Sequence, residues 1–331
     1  DFPVAVAVNP VTNKIYVANQ MSDTVTVIDG ASYTPTTVEA EDGPISVAVN
    51  PVTNKIYVAN IRSHSVTVID GASNETTTLA VGVNPTAVAV NTVTNKIYVT
   101  NSDSNTITVI DGVSNETTTI ATGIYPAKVV VNPVTNKIYV ANSGSNSVTV
   151  IDGASNETTT VDAGAGPSAI DVNPVTNKIY VSNTESHNVT VINGTNNETT
   201  TVATGYGPGA IAVNPVTNKI YVTSDKIYYV TVIDGASNET TTVATGNVTN
   251  AVAVNPVTNK IYVTNNFIGN VTVIDGENNG TTTVAVGYGP RAVAVNPVTN
   301  KIYVANIVND TMSIIDGESN TSTAVLAGKR P

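Results

Sequence analysis

Apolar and polar positions alternate at period two in short runs along the chain, and the runs themselves return every 41 residues. In one such unit, Pro44-Ile45-Ser46-Val47-Ala48-Val49 alternates large and small residues, which predicts a strand (A) that packs on both faces. Asn50-Pro51 ends it, because the residue before a proline is held extended and proline donates nothing to a ladder. Thr53-Asn54 supplies turn chemistry, with Asn54 suited to a left-handed conformation, and Lys55-Ile56-Tyr57-Val58-Ala59-Asn60 returns as strand B. After a short irregular piece, Ser65-Val66-Thr67-Val68-Ile69 alternates again as strand C, closed by the turn dipeptide Asp70-Gly71. Strand D follows as Thr76-Thr77-Thr78-Leu79-Ala80-Val81, punctuated by Gly82. No segment carries an apolar period of 3.6, which excludes a helical solenoid.

The stretch Asn9-Pro10-Val11-Thr12-Asn13-Lys14-Ile15-Tyr16-Val17 recurs from Asn50, Asn91, Asn132, Asn173, Asn214, Asn255 and Asn296, with Thr92 once in the proline's place. Length alone suggests two or three domains, but an unbroken repeat of one supersecondary unit predicts a single one. Four short antiparallel strands per 41-residue unit predict an all-β fold, a single eight-bladed β-propeller, rather than a stacked solenoid with shorter rungs and fewer hairpins. Its blades are expected at 3–43, 44–84, 85–125, 126–166, 167–207, 208–248, 249–289 and 290–331. Alanine-rich strand A suits the crowded axis, and threonine-rich strand D suits a wetted outer edge. Pro3 and Pro331 hold the same repeat position, so the ends are expected to meet, blade one closing on blade eight by packing and not by an exchanged strand.

Alternating strand direction puts the A-to-B and C-to-D turns on one face and the B-to-C and D-to-A loops on the other. The first face is monotonous, with eight lysines from Lys14 to Lys301, seven aspartates from Asp29 to Asp316 with Asn193 in the eighth place, and seven glutamates from Glu75 to Glu318. It reads as a charged ring for cations or a repetitive partner, or as a solvated turn surface whose Lys-to-Asp pairs each contribute ~0 to 1 kcal/mol. On the second face the copies diverge, bringing Arg62 and His64, Glu185 and His187, Lys226, Tyr228 and Tyr229, and Phe267, with Tyr125, Tyr206 and Tyr288 in the neighbouring loops. Loops on a rigid scaffold commonly carry binding, and aromatic side chains give contact area at little entropic cost, although loops also vary for want of constraint. Strand A has three irregularities of its own: Lys128 and Asp171 replace the usual alanine and Arg291 enters near the strand start. Blades four and five are adjacent, which suggests a Lys128–Asp171 pair, either structural or a polar ligand contact near the channel.

The net charge of −11 argues against nonspecific nucleic-acid binding, which needs clustered Lys and Arg. No run approaches the ~18 to 20 apolar residues of a membrane-spanning helix, so membrane insertion is not expected. With no cysteine, thiol catalysis and thiolate metal sites are excluded, and His64 and His187 lie three blades apart, too far to share a metal. The Asp-Gly turns lack calcium-loop spacing, and there is no phosphate loop, Gly-x-Ser-x-Gly elbow or Ser, His and Asp constellation, so neither a metal nor a cofactor is expected. Twelve Asn-x-Ser/Thr sequons occur, seven of them in the C-to-D turn, at Asn74, Asn115, Asn156, Asn197, Asn238, Asn279 and Asn320; the others are Asn188, Asn193, Asn247, Asn270 and Asn309. They read as a glycosylated rim or as turn-then-strand chemistry repeated by duplication.

Tyr98-Val99-Thr100-Asn101 and Tyr262-Val263-Thr264-Asn265, each followed by Val-Ile-Asp-Gly further on, resemble the YVTN-type β-propeller repeat. The other blades differ mainly by Ala or Ser at the third position, and blade six carries Ser224 at the fourth. The resemblance implies a propeller, often a surface-layer or other secreted protein, and no shared catalytic residues; eight repeats depart from the seven common in that family. Together these features favour a non-enzymatic extracellular or cell-surface module, structural or adhesive, with a protein or cell-surface glycan as partner and self-assembly as a further use. The alternatives are a hydrolase or lactonase-like enzyme at the channel mouth, drawing on Asp171, Lys128, Arg291 or a loop histidine, and a duplicated or designed scaffold without a ligand.

Overall fold

The computed structural model describes residues 1–246 and 248–327, so the Asn247 sequon and Pro331 lie outside the described residues. Its 32 strands form eight separate four-stranded antiparallel sheets, each a simple meander. Blade one comprises β1 (Pro3–Asn9), β2 (Lys14–Asn19), β3 (Thr24–Asp29) and β4 (Pro35–Glu39), and the order repeats to β29 (Pro290–Asn296), β30 (Lys301–Asn306), β31 (Thr311–Asp316) and β32 (Ser322–Leu326) of blade eight. The fold is the expected all-β propeller of eight blades. Successive A strands adjoin one another around the axis, and β1 packs on β29 to close the ring. Blade eight keeps all four of its own strands, so closure is by packing, with the Phe2 amide donating to Asp310 Oδ1 at 3.0 Å.

The period-two pattern becomes an interlocking core because the two faces of each sheet meet different neighbours. Tyr16, Val25, Val27 and Val38 of blade one pack with Ile56, Val58 and Ile69 of blade two. Ile15, Val17 and Ile28 pack backwards on Tyr303, Met312 and Ile314 of blade eight. The eight B-strand tyrosines, Tyr16 to Tyr303, are fully buried, and their phenols are pushed up to about 12 because burial penalises the phenolate. Strand D carries the wet edge: in Thr76–Ala80 only Leu79 is even half-buried.

Blade six departs from this regularity. In seven blades the last residue of strand B is an asparagine whose side-chain amide bonds back across the B-to-C loop, as Asn60 Nδ2 does in donating to Ser65 Oγ at 3.1 Å and Thr67 Oγ1 at 2.9 Å. Ser224 is too short to span that loop and donates instead to the Tyr206 carbonyl. Pairing between strands B and C of blade six runs only from Lys219–Asp234 to Val222–Thr231, two pairs shorter than in the other blades.

Candidate functional site

The repetitive face is consumed by its own bonding. Each asparagine that ends strand A accepts from two turn amides, as Asn132 Oδ1 does from Val134 at 3.1 Å and Thr135 at 3.4 Å. Its Nδ2 donates to the left-handed asparagine of the next blade, from Asn9→Asn54 round to Asn296→Asn13, at 2.8 to 2.9 Å in all eight cases. Seven lysines reach one blade further on and donate to the glycine carbonyl of its Asp-Gly or Asn-Gly turn, as Lys96 Nζ does to Gly153 O at 2.9 Å. The expected surface of Lys-to-Asp pairs is therefore corrected: Lys301–Asp316 is the one such pair among the described residues. The aspartates cap their own turns. Asp70 Oδ1 accepts from Ala72 at 2.9 Å and Ser73 at 3.0 Å, and these amides hold its carboxyl below the usual range. The glycine after it is obligatory, because a Cβ on Gly71 would sit 2.7 Å from the Asn54 carbonyl oxygen. No group of His, Asp and Glu able to hold a metal ion occurs among the described residues.

The seven sequon asparagines of the C-to-D turn all have positive φ, from 57° at Asn320 to 63° at Asn74, and blade one places Tyr33 there at 58°. Their recurrence thus has a turn-geometric cause, since Asn tolerates the left-handed region better than other non-glycine residues.

On the divergent face the two histidines have a shared structural duty. His64 and His187 occupy the left-handed position that is Asp23, Asn105, Asn146 or Asp310 in other blades. Each side chain accepts the backbone N–H of the following D-to-A loop: Asp23 from Gly43 at 2.9 Å, Asn105 from Tyr125 at 2.8 Å, and His64 Nδ1 from Asn84 at 3.2 Å. His187 Nδ1 sits 3.2 Å from the Gly207 amide and 3.0 Å from the Thr184 carbonyl, and only the tautomer with a bare Nδ1 accepts from Gly207. Imidazole here replaces an amide or carboxylate oxygen as an acceptor. Sequence reading missed this because the equivalence becomes visible only when the acceptor position is aligned with the loop twenty residues on.

The candidate loop residues do not form one surface. Arg62 pairs with Asp42 at 3.2 Å in the open between blades one and two. Tyr125, Tyr228, Phe267 and Tyr288 are each more than half exposed, on different loops, while Tyr229 is half-buried in strand C of blade six against Gly205. The structure does bring Glu185, His187, Tyr206 and Lys226 together, with Thr184, Gly207 and Asp225, around a cleft of about 340 Å³ between blades five and six. The His187 and Tyr206 rings lie 4.0 Å apart at 35°, and Lys226 Nζ stands 4.9 Å from the centre of the Tyr206 ring, within reach of a cation–π attraction. Burial raises the Asp225 carboxyl, opposed by Lys226. Asp225 and Lys226 reach this cleft from blade six, directly after Ser224, which bonds the Tyr206 carbonyl.

Thr184 and Asp225 also line the central channel, a cavity of about 420 Å³ into which Lys128, Arg291, Ser168 and Asn250 project from the A strands. The expected Lys128–Asp171 pair is not made. Asp171 lies two residues further along its strand than Lys128 does, ~7 Å deeper at a strand's rise, and both its oxygens are engaged. Oδ1 accepts from Val172 and Oδ2 from Val213 of blade six, each at 2.8 Å, so the carboxyl staples blade five to blade six. Burial outweighs those two bonds and pushes Asp171 up to about 6. Lys128 is moved the other way, its ammonium disfavoured first by the surrounding protein and then by the charge of Arg291.

These features define an eight-bladed propeller with a plain face and a differentiated one. No protein-family model matches the chain, and no curated protein matches it. Among solved structures it is similar to Kuenenia stuttgartiensis hydrazine synthase, at 20% identity and a TM-score of 0.67 over 99% of this chain and 97% of that one. It also resembles the dihydro-heme d1 dehydrogenase NirN in complex with DHE, at 12% identity and a TM-score of 0.82 over 98% and 75% of the two chains. Apo AztD from Citrobacter koseri matches at 15% identity and a TM-score of 0.74 over 96% and 95%. At such identities the likeness carries the propeller fold alone.

Proposed function

We propose that the chain is a non-catalytic propeller of the YVTN-repeat type, working outside the cell or at its surface, which takes a cell-surface glycan on its divergent face. The observation that carries this reading is the cleft between blades five and six. There a half-exposed Tyr206, tilted against the His187 ring, stands beside the carboxyls of Glu185 and Asp225 and the Lys226 ammonium. An aromatic platform with acceptors and a donor beside it suits a sugar ring, whose C–H faces pack on aromatics while its hydroxyls are bonded at the edge. The opposite face supports the reading by exclusion, since its asparagines and lysines join blades and its aspartates cap their own turns. An enzymatic role at the channel mouth is less well supported, because both Asp171 oxygens already accept backbone amides.

Glycan-array and cell-wall pull-down binding by the intact chain, set against Tyr206→Ala and Lys226→Ala, tests the proposal. Binding that falls at least tenfold in both variants is expected. Equal binding by the wild-type chain and both variants would reject the cleft, and a triple Tyr228, Tyr229 and Phe267 alanine variant then reports whether the outer loops bind instead.

A further inference from the structure

Two cations share the channel, and neither has an ion-pair partner among the described residues. Lys128 comes from the A strand of blade four and Arg291 from that of blade eight, opposite sides of the ring, and both line one cavity of about 240 Å³ with Val4, Ile45, Thr86 and Asn250. Neither side chain makes an ion pair or a hydrogen bond among the described residues. The Asn250 amide nitrogen is buried and also lacks a partner. The nearby carboxyls do not compensate. Both Asp171 oxygens are committed to backbone amides, and Asp225, which lines the channel as well as the cleft, makes no ion pair with either cation among the described residues.

Lys128 and Arg291 both keep solvent exposure, but like charges lining one cavity still repel, and the buried Asn250 amide nitrogen has lost hydration without gaining a bond. Other blades place Ala or Ser at the Lys128 position, so the ring itself has no structural need for a cation there. We propose that this end of the channel is a binding site for a small dianion bearing oxygen acceptors, a phosphate or a compact dicarboxylate, bridged between Lys128 and Arg291 with Asn250 as a neutral donor. Arg291 supplies a planar fork that can hold two oxygens, and Lys128 a point charge from across the channel. Val4 and Ile45 close the side formed by blades one and two with apolar surface, which favours a compact anion over a long chain. Neither Lys128 nor Arg291 lines the glycan cleft, although Thr184 and Asp225 line both that cleft and the channel, so the anion site stands on residues the cleft does not use.

The test is calorimetric titration of the intact chain at low salt with inorganic phosphate and, in a second arm, succinate, with chloride as the monoanion control. Saturable binding of at least one dianion is expected, weakened tenfold or more by Lys128→Gln and by Arg291→Gln; whichever arm responds identifies the phosphate or dicarboxylate source. The same dianion is expected to raise the wild-type melting temperature and to leave that of the double variant unmoved, a readout that also shows the variant to be folded. Absence of dianion binding beyond that of chloride, or equal binding by the wild type and both variants, would overturn the site.

Discussion

The two faces of the disc join the same eight blades by different chemistry. On the A-to-B face an identical asparagine bonds an identical asparagine in the next blade, eight times without exception. On the B-to-C face the acceptor that ties one loop to the next is Asp, Asn or His in six blades, while blade seven has Gly269 there with no side chain and blade six has Tyr228 without the left-handed backbone of its counterparts. A closed ring tolerates variation at one end if the other end fixes the spacing. The plain face therefore sets the blade angle, and the differentiated face is free to carry a cleft and a charged channel mouth.

Perturbation should separate these roles. The largest effect is expected from Asn132→Ala, which orphans two turn amides and deletes the bond to Asn177; a loss of about 2–3 kcal/mol by chemical denaturation, with glycan binding unchanged, would be the outcome. Lost binding with intact stability would instead put function on the plain face.

Next in size is the pH response of Asp171. Its folded-state value of about 6 lies above the ordinary 3.8, so protons bind the folded chain more tightly. The stabilisation from this group is complete below about pH 4 and disappears as pH rises through 6, a change of about 1–3 kcal/mol given its partial exposure. Asp171→Asn should remove that dependence, read as the difference between the two stability–pH curves. The turn aspartates of the plain face act oppositely. Asp29, Asp70 and Asp111 are held below their ordinary value, so the stability they contribute at neutral pH is lost as pH falls.

A smaller change is expected at Val248, a β-branched residue at φ 49° where other blades place Gly43, Gly166, Gly207 or Gly289. Val248→Gly should raise stability by about 0.5–1 kcal/mol in the same denaturation assay, marking strain tolerated on the differentiated face. Smallest of all, Tyr206→Ala should alter stability by less than about 0.5 kcal/mol, since the ring is half exposed, while abolishing most glycan binding.

Much of the architecture was legible because period-two alternation, Asn-Pro breaks and Asp-Gly turns are local signals repeated eight times. Glu185, His187, Tyr206 and Lys226 were legible in the sequence only as separate residues of one face. Their convergence depends on loops of blade five and blade six meeting across an inter-blade gap, a contact no single repeat contains. The Lys128–Asp171 expectation failed for a related reason. Adjacent blades suggested contact, but depth along the channel separated the charges and gave Asp171 to the Val213 amide.

What the sequence by itself determined was the number of blades, their strand order and the identity of the plain face, since these follow from periodicity and from residues that act within a few positions of themselves. Only the tertiary structure decided which polar residues are latches and which are free. Bonds such as Asn9 to Asn54 or Lys96 to Gly153 join positions 45 and 57 apart, and a partner at that distance is chosen by ring closure. The same closure placed Lys128 opposite Arg291 and left both without an acceptor among the described residues.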